Sequence, residues 1–203
     1  MLFAMRNKNS SARRVILASV VLLTMSTGCS VFNDNFRPVA QGALYRSGQL
    51  SAMRIEYFVN KHGIRTVVNL RGSQSDEQWY RDEVATCERL GVTHHDLEWS
   101  MKRIPEPDSL SKLVNLFDSA DRPILVHCHA GVHRAGVASA AYRLMEGASA
   151  DEASGQFGLF FLGAPIGRVL EMYADSDRPF REWVLEDYPA LYGQETQIAL
   201  SVP

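Results

Sequence analysis

Cysteine is scarce in this chain: its 203 residues hold three, at positions 29, 87 and 128. That is too few for a disulfide framework. A charge excess of one sign is also missing, since 21 Lys and Arg face 23 Asp and Glu for a formal net charge of −2. Neither the charge nor the composition suggests a nucleic-acid binder. There are no internal repeats and no low-complexity segments. The one long apolar run, residues 15–25, is too short to span a bilayer comfortably. What remains is ordinary for a soluble globular protein, with 46% hydrophobic and 22% charged residues and enough length for one domain with a sizeable core.

The amino terminus departs from that average. Arg6, Lys8, Arg13 and Arg14 form a basic region without acids, followed by the apolar run "VILASVVLLTM" and the small residues "STGCS". The pattern resembles a bacterial lipoprotein signal at residues 1–28, in which Cys29 is lipidated and becomes the first residue. An ordinary signal peptide cut nearby and an uncleaved anchor are the alternatives. Ser30 after the cysteine resembles lipoproteins sorted to the outer membrane. The resemblance implies a protein of the bacterial cell envelope that faces the periplasm and is held to the membrane by acyl chains. Removing residues 1–28 deletes four basic residues and no acids, so the formal charge moves from −2 to −6. An anion bound by such a body must be held by local geometry.

Residues 29–40 read as a tether, 41–192 as the domain and 193–203 as a tail. A short strand is expected near residues 44–47. Ser51 reads as an N-cap for a helix from 53 to 62 that carries Ile55, Phe58 and Val59 on one face and stops at Gly63. "IRTVVNL" reads as a buried strand and "RGSQS" as a loop. Residues 76–90 read as a helix ended by Gly91. It contains Cys87 at core spacing with Val84, and the alternative role for Cys87 is a reversible disulfide with Cys128. "VTHHDL" reads as a third strand and "EWSMKRIPEP" as a loop. Asp108 is expected to cap a helix reaching Phe117, with Leu110, Leu113, Val114 and Phe117 at helical spacing. "ILVHC" reads as another buried strand, residues 134–145 as a helix, and residues 150–192 as mostly helical with a break at "FLGAP". Alternating strands and helices predict an α/β fold: a mainly parallel sheet of four to five strands flanked by helices, with a helical C-terminal part.

The stretch "VHCHAGVHRAG", residues 126–136, carries the chemistry. A buried strand ends at His127 and a helix begins near Arg134, so the intervening loop lies where open α/β sheets bind ligands. There it would turn backbone N–H groups into a cup at a helix N-terminus, a ready anion site. Cys128 facing those donors, the helix dipole and a guanidinium would be a nucleophile able to attack phosphorus in line. Arg134 could hold two equatorial oxygens with its planar fork. Gly131 would allow the tight backbone. His129, Ala130, Gly131, Val132 and His133 are the expected substrate-binding residues. A metal reading competes: His127, His129 and His133 have plausible ligand spacing, and His94 and His95 add candidates. The loop, however, has no carboxylate, and His127 should point into the core.

"HCHAGVHRAG" resembles the His-Cys-x5-Arg loop of the protein tyrosine phosphatase and dual-specificity phosphatase superfamily. "LYRSGQL", "HGIRTVVNLRG", "RIPEP" and "RPILVHCHAGVHRAGVASAAYRL" extend the resemblance over about residues 41–190, to small bacterial dual-specificity-type phosphatases related to an atypical plant and fungal group. The resemblance implies a phosphocysteine intermediate on Cys128, phosphate binding by Arg134, and neither metal nor other cofactor. The substrates implied are phosphomonoesters, on proteins (phosphotyrosine) or small molecules; oligomeric state is left open. His133 before the arginine also resembles the atypical group, where it could contact substrate or supply a proton.

Two positions depart from the family pattern. The residue after the loop arginine is usually Ser or Thr, whose hydroxyl donates to the cysteine sulfur and eases its departure; here it is Ala135. Normal phosphate binding with slow breakdown of the intermediate is expected, and a feeble or inactive phosphate-binding pseudophosphatase is the rival. The family's general acid is an Asp on an upstream loop. Counting back from Cys128 reaches Asp96, whereas anchoring on "GVTHHDL" puts the position near Met101 and Lys102, where no carboxylate exists. Asp96, Glu98, Glu106 and Asp108 are the candidates. Arg71, Lys102 and Arg103 could line the mouth. The loop has no lysine, which favours simple monoesters over highly phosphorylated inositols.

Overall fold

The structure is a computed structural model that describes residues 34–201. Five short strands form one sheet in the order β1-β2-β5-β3-β4, with β1 Arg37–Ala40, β2 Leu44–Ser47, β3 Thr66–Asn69, β4 Thr93–Asp96 and β5 Ile124–His127. β2, β5, β3 and β4 run parallel and β1 is antiparallel to β2. The central strands are buried at every position, as a parallel sheet covered on both faces requires. The α/β expectation therefore holds, with five strands.

Period-two alternation assigns strand residues to two cores. Tyr45, Val67 and Leu125 pack with Ile55, Phe58, Val59 and Cys87 from helices α1 Ala52–His62 and α2 Gln78–Leu90. Leu44, Val68, Ile124 and Val126 pack with Leu110, Leu113, Val114 and Phe117 of α3 Pro107–Ser119 and with α4 His133–Met145. α4 is buried from Ala135 through Tyr142 and again at Leu144. Its run of Ala, Gly and Ser makes it thin enough to lie between the sheet and further helices: α5 Ala150–Ser154, α6 Arg168–Ala174, α7 Phe180–Glu186 and α8 Tyr188–Ser201. Trp183 anchors that side against Tyr173, Phe180 and Tyr188.

Three expectations need correction. Residues 37–40 are an edge strand, part of the sheet rather than tether; Pro38 suits an edge, where its missing N–H leaves no ladder bond unmade. Asp108 lies in the first turn of α3, whose N-cap is Glu106 without a side-chain cap bond; Pro107 starts the helix two residues earlier than expected. α8 continues to Ser201, through much of the stretch read as a tail. Ser51 is the N-cap of α1, but it makes no side-chain cap bond. The signal segment and Cys29 lie outside the described residues.

Candidate active site

β5 ends at His127, and residues 128–132 carry the chain to α4. Cys128 is buried at the base, its N–H donating to the Ser47 carbonyl at 3.4 Å. The orientation of the loop follows from its carbonyls. That of His129 accepts from Gln49 N–H at 3.0 Å, and those of Ala130 and Gly131 accept from Asn35 Nδ2 at 3.0 Å each. The Val132 carbonyl accepts from Gly136 N–H inside α4. In a trans peptide the C=O and the following N–H point in opposite directions. With four successive carbonyls engaged behind the loop, the N–H groups of Ala130, Gly131, Val132 and His133 face the other way, into the cup.

Gly131 is required twice over. Its φ is +68°, and a Cβ there would lie 2.5 Å from the Gly48 nitrogen and 2.6 Å from the Ser47 carbonyl carbon. These are backbone atoms of the segment that supports the loop, so the neighbour has no side chain to move aside.

Arg134 is the second helical residue of α4, and its Nη1 donates to the carbonyls of Leu70 and Trp99, at 3.3 Å each. The ends of two neighbouring segments thus set the plane of the guanidinium beside the loop. Arg134 also borders a cavity of about 400 Å³ with Glu98, Trp99, Ser100, Met101, Lys102 and Arg103; residues 128–133 are not part of its lining. Trp99 and Tyr188 hold this wall: Trp99 Nε1 donates to Ser109 Oγ at 2.8 Å, and Tyr188 OH donates to the Pro105 carbonyl at 2.5 Å.

The four acid candidates separate. Only Glu98 shares the cavity with Arg134. Asp96 is occupied, accepting from Asn69 Nδ2 at 2.8 Å and Tyr80 OH at 2.5 Å. It also sits at the end of β4, two strands from His127. Glu106 pairs with Arg103, and Asp108 belongs to the first turn of α3. The loop histidines do not converge. His127 points inward, and the His133 ring lies 5.5 Å from that of Phe161. Ala135 is fully buried at the start of α4, and no hydroxyl stands there.

Sequence reasoning missed the support under the loop. Glu83 of α2, 1% exposed, accepts from the Nε2 of both His127 (3.0 Å) and His94 (2.9 Å) at one oxygen and from Gln49 Nε2 (2.6 Å) at the other. Burial alone would push this carboxyl up, but the charge and hydrogen bonds of the two histidines overcome it and hold it down at about 2. Gln49 in turn accepts from Arg71 Nη1 at 2.8 Å, and the Arg71 guanidinium lies 3.5 Å from the centre of the Trp79 ring. The signal was present: Glu83 lies four residues before Cys87, on the buried stripe of α2. Arg46 of β2 was missed too. It is fully buried, its Nη1 donating to the Gln156 carbonyl at 2.7 Å and to Gln156 Oε1 at 3.5 Å, with Nε and Nη2 unpartnered among the described residues. Burial and Arg37 lower its pKa to about 10 while the charge of Cys128 raises it.

Cys87 is not placed to pair with Cys128. The two lie in separate cores, and burial pushes the Cys87 thiol up to about 12.

Comparison with known proteins agrees with this geometry. Residues 19–161 match the family described as DSP-PTPase phosphatase fused to NAD+ kinase. A human protein, dual specificity protein phosphatase CDC14C, is 30% identical over 88 residues, which is 43% of this chain and 18% of that protein. The chain thus matches under a fifth of that relative's length. The fold resembles TpbA of P. aeruginosa, with a TM-score of 0.55, 20% identity, and coverage of 77% of this chain and 91% of that one. It also resembles the core catalytic domain of the PP-IP phosphatase SIW14 from S. cerevisiae, with a TM-score of 0.53, 17% identity, and coverage of 83% and 94%. With a match over most of its length and a Cys-x5-Arg loop built as an anion cup, the chain belongs to the DSP-PTPase family of dual-specificity and tyrosine phosphatases.

Proposed function

We propose that the protein is a cysteine-dependent phosphomonoesterase, anchored through Cys29 to a bacterial envelope membrane and facing the periplasm. The observation that carries the chemistry is the set of inward N–H groups above Cys128 with Arg134 at the rim. Cys128 Sγ attacks phosphorus, forming the S–P bond as the ester P–O bond breaks. Arg134 and the loop N–H groups carry the charge of the transferring phosphoryl group. Glu98, the carboxyl on the cavity wall, gives the leaving oxygen its proton. Water then attacks phosphorus, its proton passing to the Glu98 carboxylate left by the first step, and the S–P bond breaks to release phosphate and the Cys128 thiolate. Phosphotyrosine-type and small phosphomonoesters are the substrates of this reading; a variant of TpbA, whose fold this chain shares, has been solved with phosphotyrosine.

A second reading, a phosphate-binding protein with feeble turnover, is favoured by Ala135, which supplies no donor to the departing sulfur. Brief reaction with an aryl phosphate followed by acid quench and mass spectrometry separates the two. Phosphate on Cys128 with multiple turnovers supports the enzyme, and phosphate on Cys128 without turnover supports the feeble form. Full hydrolysis by Cys128→Ser overturns the mechanism.

A further inference from the structure

The loop between α5 and α6 carries three large apolar side chains in water: Leu159 is 87% exposed, Phe160 72% and Leu162 85%. Their neighbour Phe161 is buried, stacked on Phe157 with ring centres 3.9 Å apart, so the tip is held by its own base. Leu162 is anomalous in two ways. Besides its exposure it has φ +50°, a left-handed conformation that glycine or asparagine adopts more easily. A leucine so exposed buries little apolar surface, and a strained exposed residue points to function.

The tip stands at the active-site mouth. Ile166 N–H donates to the Met101 carbonyl at 3.4 Å, and Met101, itself partly exposed, lines the cavity of Arg134. The Phe161 ring lies against His133 of the phosphate loop. The chain also enters the domain here. Asn35 bonds to the loop carbonyls, and Arg37 Nη2 lies 3.9 Å from where a Cβ on Gly158 would be. An anchor at Cys29 is six residues before Asn35, a reach of at most about 20 Å. A body of this length is about 40 Å across. So short a tether brings the face with Asn35, the phosphate loop and the apolar tip toward the membrane. Exposed Arg37 and Lys102 on that side suit anionic headgroups.

We propose that residues 158–164 are a membrane wedge: Leu159, Phe160 and Leu162 enter the headgroup–acyl boundary of an anionic bilayer and hold the mouth of the phosphate loop at its surface. The orientation rests on the anchor at Cys29; the insertion does not. The enzyme then works on phosphomonoesters displayed at the bilayer surface.

The test uses the full chain reconstituted in vesicles of phosphatidylethanolamine and phosphatidylglycerol, with Phe160→Trp as reporter. Emission beyond that of the parent chain should be blue-shifted and quenched by lipids brominated high on the acyl chain. Cys29→Ser in the same protein should leave this quenching in place, which separates the wedge from the anchor. Replacing Leu159 and Phe160 by Ser and Leu162 by Asn should slow hydrolysis of a lipid-borne phosphomonoester on the order of 100-fold, as expected for three apolar side chains leaving the boundary. Aryl phosphate hydrolysis in solution should stay within about twofold, since these side chains stand mostly in water and Phe161, the one against His133, is kept. If no aryl phosphate is hydrolysed at all, the phosphatase reading falls and the quenching still decides the wedge. Water-exposed, unquenched emission overturns the wedge. So does an apolar tip that mediates contact between copies, seen as a dimer the triple variant converts to monomer without any quenching in the parent reporter.

Discussion

Glu83→Gln is the most informative perturbation of the site's foundation. It preserves size and removes the charge that His127, His94 and Gln49 share. The Glu83 carboxyl falls from an ordinary 4.5 to about 2. At 1.36 kcal/mol per unit this corresponds to roughly 3 kcal/mol of stability from the ionised form. Its 1% exposure leaves little room for solvent screening. Because the folded-state pKa is the lower one, the contribution is fully present above the unfolded value near 4.5. It fades as pH falls and is gone below about 2. For a domain of this size the substitution should lower Tm at pH 7 by about 6–12 °C. The gap between variant and parent should close as the pH of the melt falls from about 5 toward 2.5. Circular dichroism melts across that range provide the check. Tm values within 2 °C of each other at pH 7, or a gap that persists undiminished at acid pH, would refute the reasoning.

Gly131→Ala places a Cβ against the backbone of Ser47 and Gly48 and should abolish binding of vanadate or phosphate, read by titration calorimetry, while the rest of the fold survives. Ala135→Ser restores a hydroxyl at the start of α4; a donor to the sulfur contributes about 1–3 kcal/mol, so stopped-flow kinetics should show dephosphorylation about 5- to 150-fold faster with the phosphorylation step little changed. Glu98→Gln should slow hydrolysis of an alkyl phosphate on the order of 100-fold and of p-nitrophenyl phosphate far less, because the poorer leaving group needs the proton more. Equal losses on both substrates would remove Glu98 from the acid's role.

The parts legible in the sequence were those written contiguously. Residues 124–136 place a buried strand, a cysteine, a glycine and an arginine in one line, and their joint meaning depends on spacing alone. The helix stripes of α1 and α3 were equally local. What escaped depends on partners far away in the chain. Asn35 supports the loop across 95 positions, and its segment read as tether because a four-residue edge strand with a proline has little pattern of its own. Glu83 meets His127 across 44 positions, and a carboxylate in an otherwise polar helix reads as solvated until its partners are known. Glu98 could be singled out from four carboxylates only when the cavity wall was in view.

The outward set of the loop carbonyls makes occupancy of the cup observable without any chemistry. Among the described residues no protein group accepts from the amides of residues 130–133, whereas the carbonyl-side bonds from Asn35 and Gln49 keep the loop in shape. An oxyanion seated in the cup supplies the acceptor to all four together. Hydrogen exchange at these few amides is therefore a built-in gauge of phosphate, vanadate or phosphocysteine, and it would work as well in a variant that never turns over.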